Sequence, residues 1–280
     1  MDQVQQIRRQ LINGGGNLKL YVEETGKSDG IPLLFIHGFN QCRLVWNKQV
    51  NSSLADEFRI VTLDLRGHGL SEKPYDVYSD SKLWAGDIHA VIEQLSLDRP
   101  VLIGWSYGGL VICDYLRYYG EETIRGINLV NARSRIGTPE AIAETGKDYL
   151  PLRPGLFSGN ITEGIAAIET FIKLCTFKEP SPSDLYFFLG FNAIVPPHVR
   201  QGMMSRSLDN EALLTTLKSP VLITHGLQDQ IVDLAHAKHN AQHLQNAQTS
   251  FYEEVGHNPF WENAPRFNQE LRQFVNSAMP

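Results

Sequence analysis

The stretch Val101-Leu-Ile-Gly-Trp-Ser-Tyr-Gly-Gly-Leu-Val-Ile-Cys-Asp-Tyr-Leu-Arg-Tyr-Tyr119 decides the fold. It opens as a short apolar run, as a strand buried on both faces does. From Leu110 onward, Leu110, Val111, Tyr115 and Tyr118 recur at helical spacing. Between them, Gly104-Trp105-Ser106-Tyr107-Gly108-Gly109 has the form G-x-S-x-G. A serine on so sharp a strand-to-helix turn is exposed above the sheet, in a strained backbone conformation. Side chains at the flanking glycines would collide with neighbouring backbone. The turn also sets Ser106 at a helix N-terminus, where backbone N–H groups favour developing negative charge. Taken alone, the motif is short enough to arise by chance, or to be a serine cap after a Gly-rich turn. Its surroundings must decide.

Other apolar runs repeat the pattern on both sides. Leu18–Glu23 alternates as a half-buried strand does, and Pro32–Ile36, Phe58–Leu63, Gly126–Val130 and Val221–Thr224 are continuous apolar runs. With the elbow strand counted among these continuous runs, Thr249–Tyr252 is a weaker sixth. Leu83, Ile88, Val91, Ile92 and Leu95 share one helical face, and Arg266–Ser277 carries Phe267, Leu271 and Phe274 in register. Short apolar strands alternating with amphipathic helices predict an α/β class with a mostly parallel sheet flanked by helices. Sites in such sheets gather beyond the carboxyl ends of the strands. His37-Gly38, Asp64, Ser106 and Gly226 all fall there. The rhythm stops between about Arg133 and Asn210, where prolines punctuate helix-like pieces such as Ile161–Leu174. The expected division is a core of residues 1–132 and 211–280, with 133–210 a helical cap inserted after the strand ending near Val130.

Composition narrows the class. The 280 residues carry 25 basic and 31 acidic side chains, a net charge of −6, which gives no electrostatic footprint for nucleic acid. No apolar run is long enough to span a bilayer, and the N-terminal MDQVQQIRRQ lacks the apolar stretch of a secretory signal. Cys42, Cys113 and Cys175 form neither a metal pattern nor a disulfide framework, so a reducing cytoplasm is expected.

An alcohol needs a general base to attack at neutral pH. His257, in the loop Gly256-His-Asn-Pro259 before the last helix, is the best placed of the nine histidines. A carboxylate must then fix the imidazole tautomer. Asp229, just past the fifth core strand, suits this role; the rival Asp233 reads as a cap for the helix from Leu234. The turn after the fourth strand carries Asn131 and offers no competing acid. The order Ser106, Asp229, His257 distinguishes one triad fold from two others.

With these residues in place the sequence resembles the α/β-hydrolase superfamily, over nearly the whole chain outside the insertion. His37-Gly38-Phe39 resembles its oxyanion loop, Gly104–Gly109 its elbow, and Asp64-Leu-Arg-Gly-His-Gly-Leu-Ser71 its structural loop. His225-Gly226 through Asp229, and Gly256-His257, resemble its acid and base regions. The resemblance implies an oxyanion hole from the backbone N–H groups of Phe39 and Tyr107, with His37 orienting its loop. It implies a small-molecule substrate, no cofactor and no metal. Relatives that open epoxides or remove halides carry Asp where Ser106 stands, so acyl transfer is expected: a carboxylesterase-like hydrolase. Carbon–carbon bond hydrolases, perhydrolases, acyltransferases and a ligand-sensing receptor with a slow triad share the pattern. His37, Trp105, Phe171 and Phe188 are candidate pocket residues, although Trp105 also fits a core role. The insertion's aromatics Phe171, Phe177, Tyr186, Phe187, Phe188 and Phe191 serve equally as pocket wall or as the cap's own core.

Three further signals read as structural. His236, His239 and His243 share a helical face, but no carboxylate partner is obvious, so a solvated face is expected rather than a metal site. Asp64, Arg66 and His68 read as a loop-stabilising network. Gly14-Gly-Gly16 lacks the lysine and spacing of a phosphate loop and reads as a flexible turn.

Overall fold

A computed structural model describes residues 7–278. Most of the polar N-terminal stretch lies outside them. The strands are β1 (Arg8–Asn13), β2 (Lys19–Gly26), β3 (Pro32–Ile36), β4 (Arg59–Leu63), β5 (Val101–Trp105), β6 (Gly126–Val130), β7 (Arg135–Ile136), β8 (Leu208–Asp209), β9 (Val221–Gly226) and β10 (Ala247–Tyr252). The helices are α1 (Asn47–Val50), α2 (Ser81–Gln94), α3 (Tyr107–Tyr119), α4 (Pro139–Ala143), α5 (Arg153–Leu156), α6 (Ile161–Leu174), α7 (Pro182–Ala193), α8 (Pro197–Met204), α9 (Glu211–Leu214), α10 (Leu234–His243), α11 (Pro259–Glu262) and α12 (Ala264–Ser277).

Eight strands form one sheet in the order β1-β2-β4-β3-β5-β6-β9-β10. β1 and β2 run antiparallel to their neighbours, and β4, β3, β5, β6, β9 and β10 pair in parallel. β3, β5 and β6 are buried at every position, as continuous apolar runs predict for strands covered on both faces. β1 had no signal in the sequence: it is an edge strand that buries only Ile12. Its arginines reach β2 instead, Arg8 to Glu24 and Arg9 to Glu23.

The segment after β6 leaves the sheet. It runs through α4–α8 and returns at β8, which pairs with β7 as a two-stranded ribbon. The two short strands were hidden in a stretch that reads as helical. They close the segment where it departs and returns.

Two loops hold the sheet's carboxyl end in shape. Arg66 and Asp87, both fully buried, pair through Nε–Oδ2 at 2.7 Å and Nη2–Oδ1 at 2.8 Å. Asp64 accepts from the N–H of Arg43 and Leu70, each at 2.8 Å, so this loop is the stabilising network that its residues predict. Gly14-Gly-Gly16 is more constrained than a flexible turn. The Gly15 N–H donates to Asp87 at 2.9 Å, and a Cβ on Gly15 would run into the Leu83 carbonyl of α2.

Candidate active site

β5 ends, and α3 begins, at Ser106, whose φ of 54° and ψ of −114° lie outside the regions that L-residues prefer. The surrounding structure holds the strain in place. The Ser106 N–H donates to Val130 O at 3.0 Å, and its carbonyl accepts from Arg133 N at 2.9 Å. The glycines are needed for close approach. A Cβ on Gly108 would come within 2.5 Å of the Ile36 carbonyl, and one on Gly104 within 2.9 Å of Gly108. One on Gly38 would meet the Ser106 Cβ at 2.9 Å, which places the Gly38–Phe39 turn directly against the serine. Tyr107 opens α3, so its N–H has no acceptor within the helix.

Asp229 and His257 come together from the ends of β9 and β10. His257 Nδ1 lies 2.7 Å from Asp229 Oδ2, and both side chains are buried. Asp229 is fixed on its other oxygen by the N–H groups of Ile231 at 2.7 Å and Val232 at 3.0 Å. Burial alone would raise its pKa. The His257 imidazole, His225 and the Asn131 amide outweigh burial and hold it down at about 2. Asn131, which the sequence offered only as the lack of an acid, donates Nδ2–H to Asp229 Oδ2 at 2.7 Å. Asp233 caps α10, accepting from Ala235 N at 2.8 Å, as its position predicts.

The base loop is clamped from two sides. The His257 N–H donates to Cys175 O at the end of α6, and its carbonyl accepts from Trp105 Nε1 at 2.9 Å. Glu262 accepts from the N–H of Phe177 at 2.7 Å and Gly256 at 2.9 Å. Burial pushes its pKa up to about 7, against the pull of those N–H donors. Among the described residues, neither Ser106 Oγ nor His257 Nε2 makes a hydrogen bond. The serine–imidazole contact in this fold class often tightens only in the substrate complex.

Ser106 opens into a small cavity lined by Phe39, Tyr107, Arg133, Ile136, Tyr149, Phe171, Met204 and Ile231. A second recess shares Arg133, Ile136, Tyr149 and Met204 and continues toward Arg153. Among the candidate pocket residues only Phe171 lines this cavity, with its ring edge-on to Phe39. His37 lies below it, fully buried. Its Nδ1 donates to Gly38 O at 2.8 Å and its Nε2 accepts from Leu65 N at 3.0 Å, so it shapes the loop. Burial lowers its pKa to about 3 and keeps it neutral. Trp105 packs among Trp46, Phe260 and His257 and steadies the base loop. Phe188 packs on Trp261, Phe187 and Phe191 and lines a separate groove. The insertion's aromatics thus divide between the two roles the sequence left open, with the exposed Tyr186 and Phe177 serving neither.

Several contacts fasten the inserted segment to the sheet, and none is visible in the local sequence. Arg206 forms a buried ion pair with Asp114 of α3 and donates to the Tyr107 hydroxyl at 3.0 Å. The Tyr107 hydroxyl in turn donates to Met203 O at 3.1 Å. Asn192 of α7 accepts from Asn40 Nδ2 at 2.7 Å and donates to Gln41 Oε1 at 3.3 Å, which ties α7 to the loop beside Phe39. No helix among the described residues is long and apolar enough to cross a membrane.

Comparison with known proteins agrees with this geometry. A family profile described as alpha/beta hydrolase fold matches residues 31–167. An esterase structure from Rhodococcus sp. ECU1013 is 34% identical with a TM-score of 0.90, over 98% of this chain and 99% of that one. A putative aryl esterase structure from Burkholderia cenocepacia is 30% identical with a TM-score of 0.86, over 97% of this chain and 99% of that one. A bifunctional esterase/perhydrolase of Acinetobacter calcoaceticus is 26% identical over 279 residues, 92% of this chain and 96% of its own.

Proposed function

Since the chain belongs to the α/β-hydrolase family, we propose that it hydrolyses carboxylic esters of small, mostly apolar substrates through an acyl-enzyme on Ser106. The observation that carries this reading is the strained Ser106 elbow, opening into an apolar cavity beside an imidazole already fixed by a carboxylate. His257 Nε2 takes the Ser106 proton as Oγ attacks the ester carbonyl. The Phe39 and Tyr107 N–H groups hold the oxyanion, each such donor contributing about 3 kcal/mol in the transition state. His257 then passes the proton to the departing alkoxide and activates water for the second half. Asp229 holds the Nδ1–H tautomer and stabilises the imidazolium throughout. The small, mostly apolar cavity favours a short acyl group, with the recess toward Arg153 as its extension. Residues 133–210 act as a cap, and Arg206–Asp114 and Asn192–Asn40 fix it over the site. Three buried, unpaired cysteines fit the reducing environment of a cytoplasmic enzyme.

Labelling with a fluorophosphonate, followed by peptide mapping, tests the assignment. Modification of Ser106, and its loss in Ser106→Ala, are expected. Labelling elsewhere at the same rate overturns it. A second reading, perhydrolysis, follows from the Acinetobacter relative. Hydrogen peroxide that intercepts the acyl-enzyme in competition with water distinguishes it.

A further inference from the structure

His236, His239 and His243 lie along α10, and the sequence alone gives them no acidic partner. The fold supplies one from a different element. α9 follows the strand on which the cap segment returns, and it packs against α10. Its first residue, Glu211, brings Oε2 to 3.4 Å from His239 Nε2 and Oε1 to 3.4 Å from His243 Nε2. Taking one ligand atom from each residue, the three lie within 4.8 Å of one another. His236 is not part of this group. It is fully buried, its Nδ1 faces Glu144 at 2.7 Å, and its Nε2 accepts from Ser134 N at 2.8 Å.

Two features set this cluster apart from a chance meeting of polar side chains. The first is the state of the nitrogens. His243 Nδ1 donates to the His239 carbonyl at 2.8 Å, which leaves the Nε2 lone pair turned toward Glu211. His239 Nε2 is buried and has no hydrogen-bond partner, although the carboxylate stands beside it. The second is spacing. A tetrahedral zinc ion with nitrogen and oxygen ligands at about 2.0–2.1 Å holds those ligand atoms about 3.3–3.4 Å apart. Each imidazole nitrogen stands at that separation from one oxygen of the carboxylate, His239 from Oε2 and His243 from Oε1. Imidazole with carboxylate suits zinc and the neighbouring late first-row divalent ions. Arg135 is the nearby opposing cation, and Glu144 engages it through Nε–Oε2 at 3.0 Å.

We propose that Glu211, His239 and His243 bind one divalent ion of the zinc type, with water completing its coordination. The ion links α9 to α10 where the chain re-enters the sheet. None of the three side chains lines the Ser106 cavity, so the site is structural.

The test uses the full chain without an affinity tag, stripped of metal and titrated with zinc chloride by calorimetry. One equivalent is expected at micromolar affinity, with a saturable rise of a few degrees in the thermal midpoint. Cobalt should give the intense visible bands of a tetrahedral N/O site. His243→Ala and Glu211→Gln should each weaken zinc at least tenfold and remove the thermal shift, while His89→Ala changes neither. Ester turnover equal to that of the parent chain shows that the variants are folded. Should His243→Ala fail to fold, the exposed Glu211→Gln carries the comparison. Zinc affinity unchanged in Glu211→Gln, or no binding below about 1 mM, overturns the proposal.

Discussion

Ser134, His236 and Glu144 repeat the serine, histidine and acid of Ser106, His257 and Asp229, with Glu in place of Asp, and in both sets the imidazole Nδ1 lies 2.7 Å from a carboxylate. What differs is the other nitrogen. His236 Nε2 accepts the Ser134 backbone N–H at 2.8 Å, and the Ser134 hydroxyl is drawn to Asn240 Oδ1 at 2.6 Å. Its lone pair is spent on holding a loop, and its carboxylate is shared with Arg135. His257 commits only Nδ1, and its serine sits on a strained turn that opens into a cavity. A serine, a histidine and an acid in contact therefore do not define a catalytic group. The proposed catalytic group adds a free basic nitrogen and a nucleophile held out of the helix.

The largest expected effect separates the two serines. Ser106→Ala should lower kcat for p-nitrophenyl butyrate by at least about 10⁴-fold, while Ser134→Ala stays within about threefold. Equal losses in the two variants would erase the distinction. The acids come next. Asp229→Asn should cost about 10³–10⁴ in kcat, because the amide favours the wrong imidazole tautomer. Glu144→Gln should leave kcat alone and cost about 1–2 kcal/mol of stability, read as a fall in the thermal midpoint.

Proton linkage divides the clusters further. Burial lowers the His236 pKa to about 4, against the pull of Glu144. The unfolded chain then binds the proton first, so stability rises with pH from about 4 to about 6.5 and is lost on acidification through that window. The His236 share is at most about 3 kcal/mol, and His236→Gln should flatten the slope in pH-dependent denaturation curves. A steeper slope in the variant would contradict it. Glu262, beside the active cluster, has the opposite sign. With its pKa raised to about 7, stability should fall as pH climbs from about 4.5 to about 7. Glu262→Gln should raise the thermal midpoint at pH 8 by the equivalent of about 1–2 kcal/mol, and a lowered midpoint there would reject the assignment.

The two clusters also show how far the sequence could be read. Runs such as Pro32–Ile36 and Gly126–Val130 coincide with the observed strands, because a buried parallel strand must be apolar at every position. The elbow and its partners were legible because the chemistry restricts residue type at each place: small residues about Ser106, a histidine after β10, an acid after β9. Asp233 was separable from Asp229 because a cap acts on its own helix. The partners that act across long sequence separations were not legible. Asn131, Asn192, Arg206 and Glu262 find their contacts only after the sheet forms, and nothing local marks them. His236 was misplaced for a related reason. A polar helix reads as solvated, yet this ring is fully buried, with its polar needs met by Ser134 and Glu144 from the cap side.

The amide of Asn192 has a consequence for recombining parts of this family. One side chain on α7 accepts from Asn40 and donates to Gln41, in the turn that carries the Phe39 N–H. A foreign cap grafted onto this sheet without an amide at that place would lose both contacts. Such a chimera should lose the alignment of the Phe39 N–H, the proposed oxyanion donor. Acyl preference and turnover rate are inherited together here, so exchange of caps should succeed only when the Asn40–Gln41 turn travels with them.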